Sequence, residues 1–586
     1  MKIWTSKVLW LRVLWFRFAR RWPAISRARN PLLNILFGLM AIFIFGATFR
    51  AGIDRGMDQL VSQEGYGRVL SAIAAVMTEQ RFGQGGYALS NCIHEGLSRR
   101  GFTLDPEVGK QLAVDMPGNL HSALFLDRVL QDMQRDLPKL SDYCGLGDAV
   151  RGLGGDDVGY VDFAKIAFFL FGLQIRALYY LFFLIYGLTL LCALVERNRD
   201  RLGQVVLLTV AGMIYVSCYY SDFLVIPQPA GSGNMLNPRF IPVLAVIPGI
   251  HILIMLADKT PSDWRRIAIV IFQSGIIFFA IHMRVSAIWW APAIFAAAVT
   301  LFLLSLKGLS TRCDSWRVAI HRGLTAQWPA LIVLVVVFGG LKLVGWSLHP
   351  TYRQGGWVSY HTVWHAIYYS LQLHPQYVEK YGAYHEGKSG DEMPQAGALA
   401  YLKRHPEEDK PELFFAGTRS LKYAALEHLD RLAFIEFARR DPWFVFETFA
   451  IVKTKMIWTT FIDATKAEWS HASRSAKLLL GLAVIIIGLM AARHPALLQN
   501  LLRLSAVAAI GAIVSLTVPV LTLVTPQTMT EQVMAIEIGV ILLLSLVMAY
   551  IMRAAIRYCA IFKQASAPLP ADYPESRLLQ PQFQNG

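Results

Sequence analysis

Two groups of acidic side chains flank the long polar stretch that follows the first apolar segment. Asp54, Asp58 and Glu64 come directly after that segment, and Asp162 closes the second group just before the next apolar run. A carboxylate at a membrane surface can act as a general base toward an acceptor hydroxyl. We therefore predict Glu64, Asp54 and Asp58 as the catalytic residues. The alternative for every acid in both groups is a solvated loop residue.

Basic side chains in two short connections supply candidates for binding an anion. Arg239 and Arg284 lie in turns that we expect on the outer side of a membrane, and His282 lies two residues before Arg284. Lys and Arg normally concentrate on the cytoplasmic side. An Arg on the outer side therefore indicates an anionic partner such as a phosphate. The alternative is an Arg that extends toward the lipid headgroups.

A third set of candidates lies in a second polar stretch. His361 and His365 are four residues apart and would share one face of a helix, with Trp364 between them and Arg353 upstream. The two imidazoles could bind a phosphate, a sugar or a divalent metal ion, which is left open as a cofactor. The aromatic residues nearby suit a sugar platform, an interfacial belt or a packed core equally well.

The composition predicts that these candidate residues belong to a membrane protein. The chain has 586 residues, of which 55% are hydrophobic, and a mean hydropathy of +0.41. The net charge of +15 comes from Lys and Arg in short connections between apolar runs, which is the pattern of membrane orientation rather than of nucleic-acid binding. We predict an all-α polytopic membrane protein with about ten transmembrane helices and two large periplasmic loops that contain helices.

The predicted spans follow the apolar runs, with both termini on the cytoplasmic side. They cover residues 31–49, 177–195, 202–219, 240–257, 267–281, 291–306, 328–346, 478–492, 504–524 and 533–552. The corresponding organisation is a basic amphipathic segment (1–30), a core (31–348) that includes the first loop (50–176), a second loop (349–477), C-terminal helices (478–563) and a tail (564–586). An interfacial helix is expected over residues 443–461.

The chain lacks the sequence motifs of nucleotide- and zinc-dependent enzymes. It contains no Walker A sequence, no HExxH and no dinucleotide fingerprint, and no predicted cytoplasmic segment is large enough for a catalytic domain. Chemistry is therefore expected on the outer side. A group transfer there needs a donor that is activated inside and carried across, such as a polyprenyl-linked sugar.

With these features, the chain resembles the GT-C superfamily of membrane glycosyltransferases. The likeness rests on Phe49-Arg50 followed by Glu64-Gly65-Tyr66, the run from Asp157 to Tyr180, Asn237-Pro238-Arg239-Phe240, His282-Met283-Arg284, and the large outer region after the seventh span. The resemblance implies that an acid of the first outer loop is the base and that Arg239, Arg284 and His361 hold the donor phosphate. Gln63-Glu64 stands where that family has an acidic pair. No WWDxG motif is present, which disfavours an asparagine-linking oligosaccharyltransferase.

The expected function is transfer of a sugar from a polyprenyl-phosphate donor to an envelope glycan or protein at the periplasmic face of a bacterial inner membrane. Membrane lipids are the other expected partners, and nucleic acid is not one. The alternatives are a polymerase or ligase of lipid-linked glycans, which would share the topology, and a non-enzymatic transporter or flippase. Transport pathways usually require charged residues within the membrane. The predicted spans contain few of these, among them Lys342 and Glu537 near span ends.

Overall fold

A computed structural model describes the helical parts of the chain. It covers residues 31–58, 158–172, 174, 176–198, 200–219, 240–309, 316–347, 353–354, 357–358, 363–382, 392–414, 421–471, 474–522 and 530–565. The described residues are almost entirely helical, and strands β1 (Arg353–Gln354) and β2 (Trp357–Val358) form one short antiparallel pair. The predicted all-α class is therefore confirmed.

The first half of the described chain forms nine α-helices. They are α1 (Pro31–Asp58), α2 (Val158–Phe171), α3 (Arg176–Glu196), α4 (Arg201–Tyr219), α5 (Val246–Ala257), α6 (Trp264–Met283), α7 (Trp290–Leu309), α8 (Trp316–Thr325) and α9 (Trp328–Ser347). Two 3-10 segments adjoin them, Ile241–Ala245 before α5 and Val285–Trp289 between α6 and α7.

The second half begins with short helices and ends with three long ones. They are α10 (Trp364–Tyr369), α11 (Tyr377–Tyr381), α12 (Glu392–Arg404), α13 (Tyr423–Arg440), α14 (Pro442–Phe446), α15 (Thr454–His471), α16 (Arg474–Arg493), α17 (Pro495–Thr522) and α18 (Thr530–Ala565). Short 3-10 turns lie at Ser370–Leu373, Pro406–Glu408 and Pro411–Leu413. A π-helical segment, Glu447–Lys453, joins α14 to α15.

Seven of the described helices are long and apolar enough to cross a membrane. They are Leu33–Ile53, Arg176–Glu196, Trp264–Met283, Val285–Ser305, Trp328–Trp346, Pro495–Thr522 and Glu531–Cys559. Large apolar side chains on their outer surfaces stay exposed, such as Phe43 and Val335, as lipid contact requires. These helices indicate an integral membrane protein. The other three predicted spans coincide with α4, α5 and α16, so the total of ten stays a prediction.

The described residues form two large hydrophobic cores and one small cluster of Ile457, Phe461 and Val533. The larger core lies among the apolar helices and includes fully buried residues of α2, α3, α5 and α6. The second core, built around Tyr368, Leu429 and Phe437, belongs to the region between α9 and α16. We call that region, residues 353–471, the loop domain.

The helix bundle has two chemically distinct ends. At one, which we call the basic end, Nε of Arg266 lies 3.0 Å from Oε1 of Glu196, joining the start of α6 to the end of α3. At the other, the loop end, Nζ of Lys453 in the loop domain donates to the carbonyl oxygen of Leu521 at 3.2 Å. The twenty residues of α6 separate the two ends by ~30 Å.

Two local features differ from the sequence prediction. Helix α8 lies between the predicted spans 291–306 and 328–346, where the sequence analysis predicts no helix. The interfacial helix expected over residues 443–461 is instead the succession of α14, the π-helical segment and α15. Extra residues per turn in a π-helix rotate the side chains that follow, and a π-helical segment has no distinct sequence pattern.

Candidate functional site

Helix α2 packs closely against the end of α6 at the loop end of the bundle. A Cβ atom at Gly159 would overlap the backbone of His282 and Met283, so only glycine permits this approach. Phe163 packs against Phe279, with ring centroids 6.3 Å apart. The sequence thus fixes the orientation of α2 relative to α6 by one glycine and one aromatic pair.

This packing brings a buried group of charges together. Asp162 and Lys165 lie three residues apart on α2, and Lys165 Nζ is 3.6 Å from Asp162 Oδ1. A hydrogen bond joins Nε2 of His282 to Oδ2 of the same carboxylate at 3.0 Å. All three residues are at most 8% exposed. Buried charges are stable only when they are paired, so Asp162 is held firmly by its two basic neighbours.

Two further charged residues, Arg284 and Glu531, lie near this group. Arg284 ends α6 in an extended conformation, two residues after His282. Its charge acts on the carboxylate of Glu531, which is fully buried in the first turn of α18. The neighbouring Gln532 is also fully buried, and its amide has no hydrogen-bond partner among the described residues.

These charged residues make a candidate active site with a defined chemical character. Lys165, His282 and Arg284 are three groups that can hold a phosphate as its negative charge develops. Asp162 holds Lys165 and His282 in place, and Glu531 is a second buried carboxylate near Arg284. Burial away from water strengthens each of these interactions.

The loop domain contains a separate group of buried acids around His365. Glu427 and Asp430 lie on the same face of α13, and both are largely or fully buried. Burial raises the pKa of Glu427 to about 7 and the pKa of Asp430 to about 6. Trp364 packs against Phe434 at 6.0 Å between ring centroids, and the guanidinium of Arg431 lies 5.9 Å from the centroid of the Trp364 ring.

The predicted site residues fall into three categories. Glu64, Arg239 and His361 lie outside the described residues. Asp54 and Asp58 lie in the last turns of α1 and Arg353 lies in β1, where the backbone alone is described.

The remaining predicted residues are described in full. His282 and Arg284 lie together at the loop end, whereas Trp364 and His365 lie in the loop domain. Their roles as ligands of a substrate stay predictions. Among the described residues no group of three or more His, Cys, Asp or Glu side chains could hold a metal ion.

The structure adds residues to the site that the sequence did not single out. Lys165 stands out in the sequence only as a charge that interrupts an apolar run, and Asp162 only as one of several loop acids. Their spacing of three residues was the available signal, because i,i+3 pairs share a helix face. Glu531 lies far along the chain from Arg284, and no local pattern connects them.

Comparisons with known proteins identify no relative. No protein-family model, no curated protein and no solved structure matches the chain.

Proposed function

We propose that this protein is a membrane glycosyltransferase that moves a sugar from a polyprenyl-phosphate donor to an envelope glycan or protein. The observation that carries the proposal is the buried group of Asp162, Lys165 and His282, with Arg284 beside it, at the loop end of a membrane helix bundle. A phosphate attached to a lipid would reach such a site from the bilayer. We place the loop end on the periplasmic side of a bacterial inner membrane, with both termini cytoplasmic.

The proposed chemistry places positive charge where the leaving group develops negative charge. The bond between the anomeric carbon and the phosphate oxygen breaks as the acceptor oxygen attacks, and the polyprenyl phosphate leaves with the electron pair. Lys165, His282 and Arg284 would stabilise that phosphate. The acceptor hydroxyl loses its proton to a base, for which the first loop supplies Glu64, Asp54 and Asp58 as candidates.

The proposal is tested with purified protein in lipid nanodiscs and a panel of polyprenyl-phosphate sugars. Release of polyprenyl phosphate together with sugar on envelope material is expected for one donor. Arg284→Gln should lower kcat by ~100-fold or more, because a positioned charge acts mainly on the transition state. Arg265→Gln is the matched control, since it changes an exposed Arg at the basic end of the same helix.

Three outcomes separate the candidate functions. Transfer that is lost in Arg284→Gln and retained in Arg265→Gln supports the glycosyltransferase. Release of polyprenyl diphosphate from longer lipid-linked glycans would instead identify a polymerase or ligase. If no donor releases its lipid phosphate while labelled lipid crosses the bilayer, the protein is a flippase, and the buried charges would then line its pathway.

A further inference from the structure

His365 is supported by two acids that come from one helix, α13. Glu427 accepts hydrogen bonds from three consecutive backbone N–H groups, those of Val363, Trp364 and His365, at 3.2, 2.8 and 3.0 Å. The carboxylate of Asp430 faces the ring, with Oδ2 at 3.4 Å from Nδ1 of His365. One acid therefore holds the backbone of His365 by hydrogen bonds, and the other lies beside its ring at ion-pair distance without the geometry of a hydrogen bond.

Both acids are buried, which indicates that their contacts with His365 are specific. Asp430 is fully buried and Glu427 is 6% exposed. A buried carboxylate is unfavourable without partners, and Glu427 finds them by holding the start of α10. The carboxylate of Asp430 faces the imidazole of His365 and also lies near the carboxylate of Glu427. A carboxylate opposite Nδ1 selects the tautomer and the orientation of a histidine.

The ring of His365 nevertheless reaches the surface of the loop domain. Its side chain is 19% exposed, while that of Asp430 is not exposed at all. Because Nδ1 faces Asp430, Nε2 lies on the far side of the ring from the carboxylate. This combination of a buried orienting acid and a partly exposed imidazole is suited to proton transfer with a bound molecule.

The position of α10 relates His365 to the candidate phosphate site. Helix α10 packs against α17, and so does the 3-10 segment Val285–Trp289 that directly follows Arg284. Ser370, the residue after α10, accepts a hydrogen bond from Lys453 at 2.7 Å, and Lys453 also binds the end of α17. The helix that carries His365 is thus attached to the loop end of the bundle.

We propose that His365 is a general base of the transfer reaction and that Asp430 is its positioning residue. This inference rests on the glycosyltransferase function proposed above. Nε2 accepts the proton of the acceptor hydroxyl while the acceptor oxygen bonds to the anomeric carbon and the donor phosphate leaves with the bonding electrons. Asp430 stabilises the resulting imidazolium, which returns its proton to water. His365 would fill this role in place of a carboxylate of the first loop.

The kinetic test compares two histidines of the loop domain. His365→Gln should lower kcat by roughly 100- to 10,000-fold, the range of general base catalysis, with KM for the donor unchanged. His405→Gln is the matched control, because His405 also has acid neighbours, Glu407 at 3.2 Å and Glu436 at 3.4 Å, but is more exposed. Added imidazole should restore part of the activity of His365→Ala, which a purely structural role would not allow.

A second measurement tests the pairing of His365 with Asp430 and does not depend on enzymatic activity. Diethyl pyrocarbonate modification of each histidine is followed by mass spectrometry in wild-type protein and in Asp430→Asn. The modification rate at His365 should change severalfold in Asp430→Asn, and the rate at His405 should not. An unchanged rate at His365 in folded Asp430→Asn would overturn the pairing, whether or not the wild-type protein transfers a sugar.

The two measurements separate failure of the inference from failure of the proposed function. If wild-type protein transfers no sugar, the proposed function and the base role both fail, and the modification experiment decides on the pairing alone. If the wild type is active, His365→Gln activity within about twofold of His405→Gln overturns the base role. Loss of activity in Glu64→Gln in that case would assign the base to the first loop.

Discussion

The buried amine of Lys453 gives the most quantitative prediction. It donates hydrogen bonds to Ser370 Oγ at 2.7 Å and to the carbonyl of Leu521 at 3.2 Å, and it lies 4.9 Å from the ring centroid of Phe449. The residue is fully buried and forms no ion pair with a carboxylate of the described residues. Burial lowers the pKa of Lys453 from its ordinary value of 10.5 to about 7.

The pKa difference sets the size and the sign of the effect. Between pH 7 and pH 10 the unfolded chain binds a proton at Lys453 that the folded protein releases, so stability rises with pH. The lowered pKa corresponds to a destabilisation of ~4 kcal/mol at pH 7 and ~1 kcal/mol at pH 10. Lys453→Met removes this contribution and keeps the apolar stem, but it loses two hydrogen bonds worth ~1 kcal/mol each. The variant should be more stable by ~2 kcal/mol at pH 7 and less stable by ~1 kcal/mol at pH 10.

The assay is thermal unfolding of the purified protein in detergent at both pH values. Lys455→Met serves as the control, since Lys455 is exposed two residues farther along the chain. Its difference from wild type should be small and should not depend on pH. A Lys453→Met variant that is less stable than wild type at pH 7, or whose difference from wild type is the same at both pH values, would refute the reasoning.

Three further predictions concern packing and charge. Gly159→Ala should destabilise the α2–α6 contact by ~1–3 kcal/mol through backbone overlap, whereas Gly275→Ala, where nothing lies within 4 Å, should be neutral or stabilising in the same thermal assay. The raised pKa of Glu427 means that the folded protein binds a proton more tightly than the unfolded chain, so stability should fall by up to ~3 kcal/mol as pH rises from 4.5 to 8; Glu427→Gln should flatten that fall in a pH series. Arg197→Met should destabilise by ~3–5 kcal/mol, because it leaves the half-buried carboxylate of Asp258 without its buried Arg partner; Arg265→Met is the control.

The helices of the bundle could be predicted from sequence because each is a continuous apolar run. All ten predicted spans coincide with helices, and the largest differences are at the ends of α1, α17 and α18, which extend beyond the apolar runs. Polar residues at those ends continue the helical hydrogen bonding outside the apolar region. Helix α8 was missed because its charged, amphipathic sequence also fits a connection between two spans.

The site was harder to predict than the helices, because its contacts join residues that are distant in sequence. The pair of His282 and Asp162 joins residues 120 positions apart, and it depends on the close approach of α2 at Gly159. Lys453 was expected on an interfacial helix, yet the π-helical segment at which it lies turns it into the interior. Pattern analysis identifies residue types that can do chemistry, but burial and pairing arise only from tertiary packing.

Helix α17 explains how groups on distant segments can act on one substrate. Its loop end carries Leu521, which binds Lys453 of the loop domain, and it also packs against the 3-10 segment after Arg284. Groups that contact one packed helix keep nearly fixed positions relative to one another, because protein interiors are dense and barely compressible. A lysine without an acid partner is an unfavourable way to make this attachment. We expect Lys453 to orient the loop domain, and with it His365, at the expense of the stability that Lys453→Met would add.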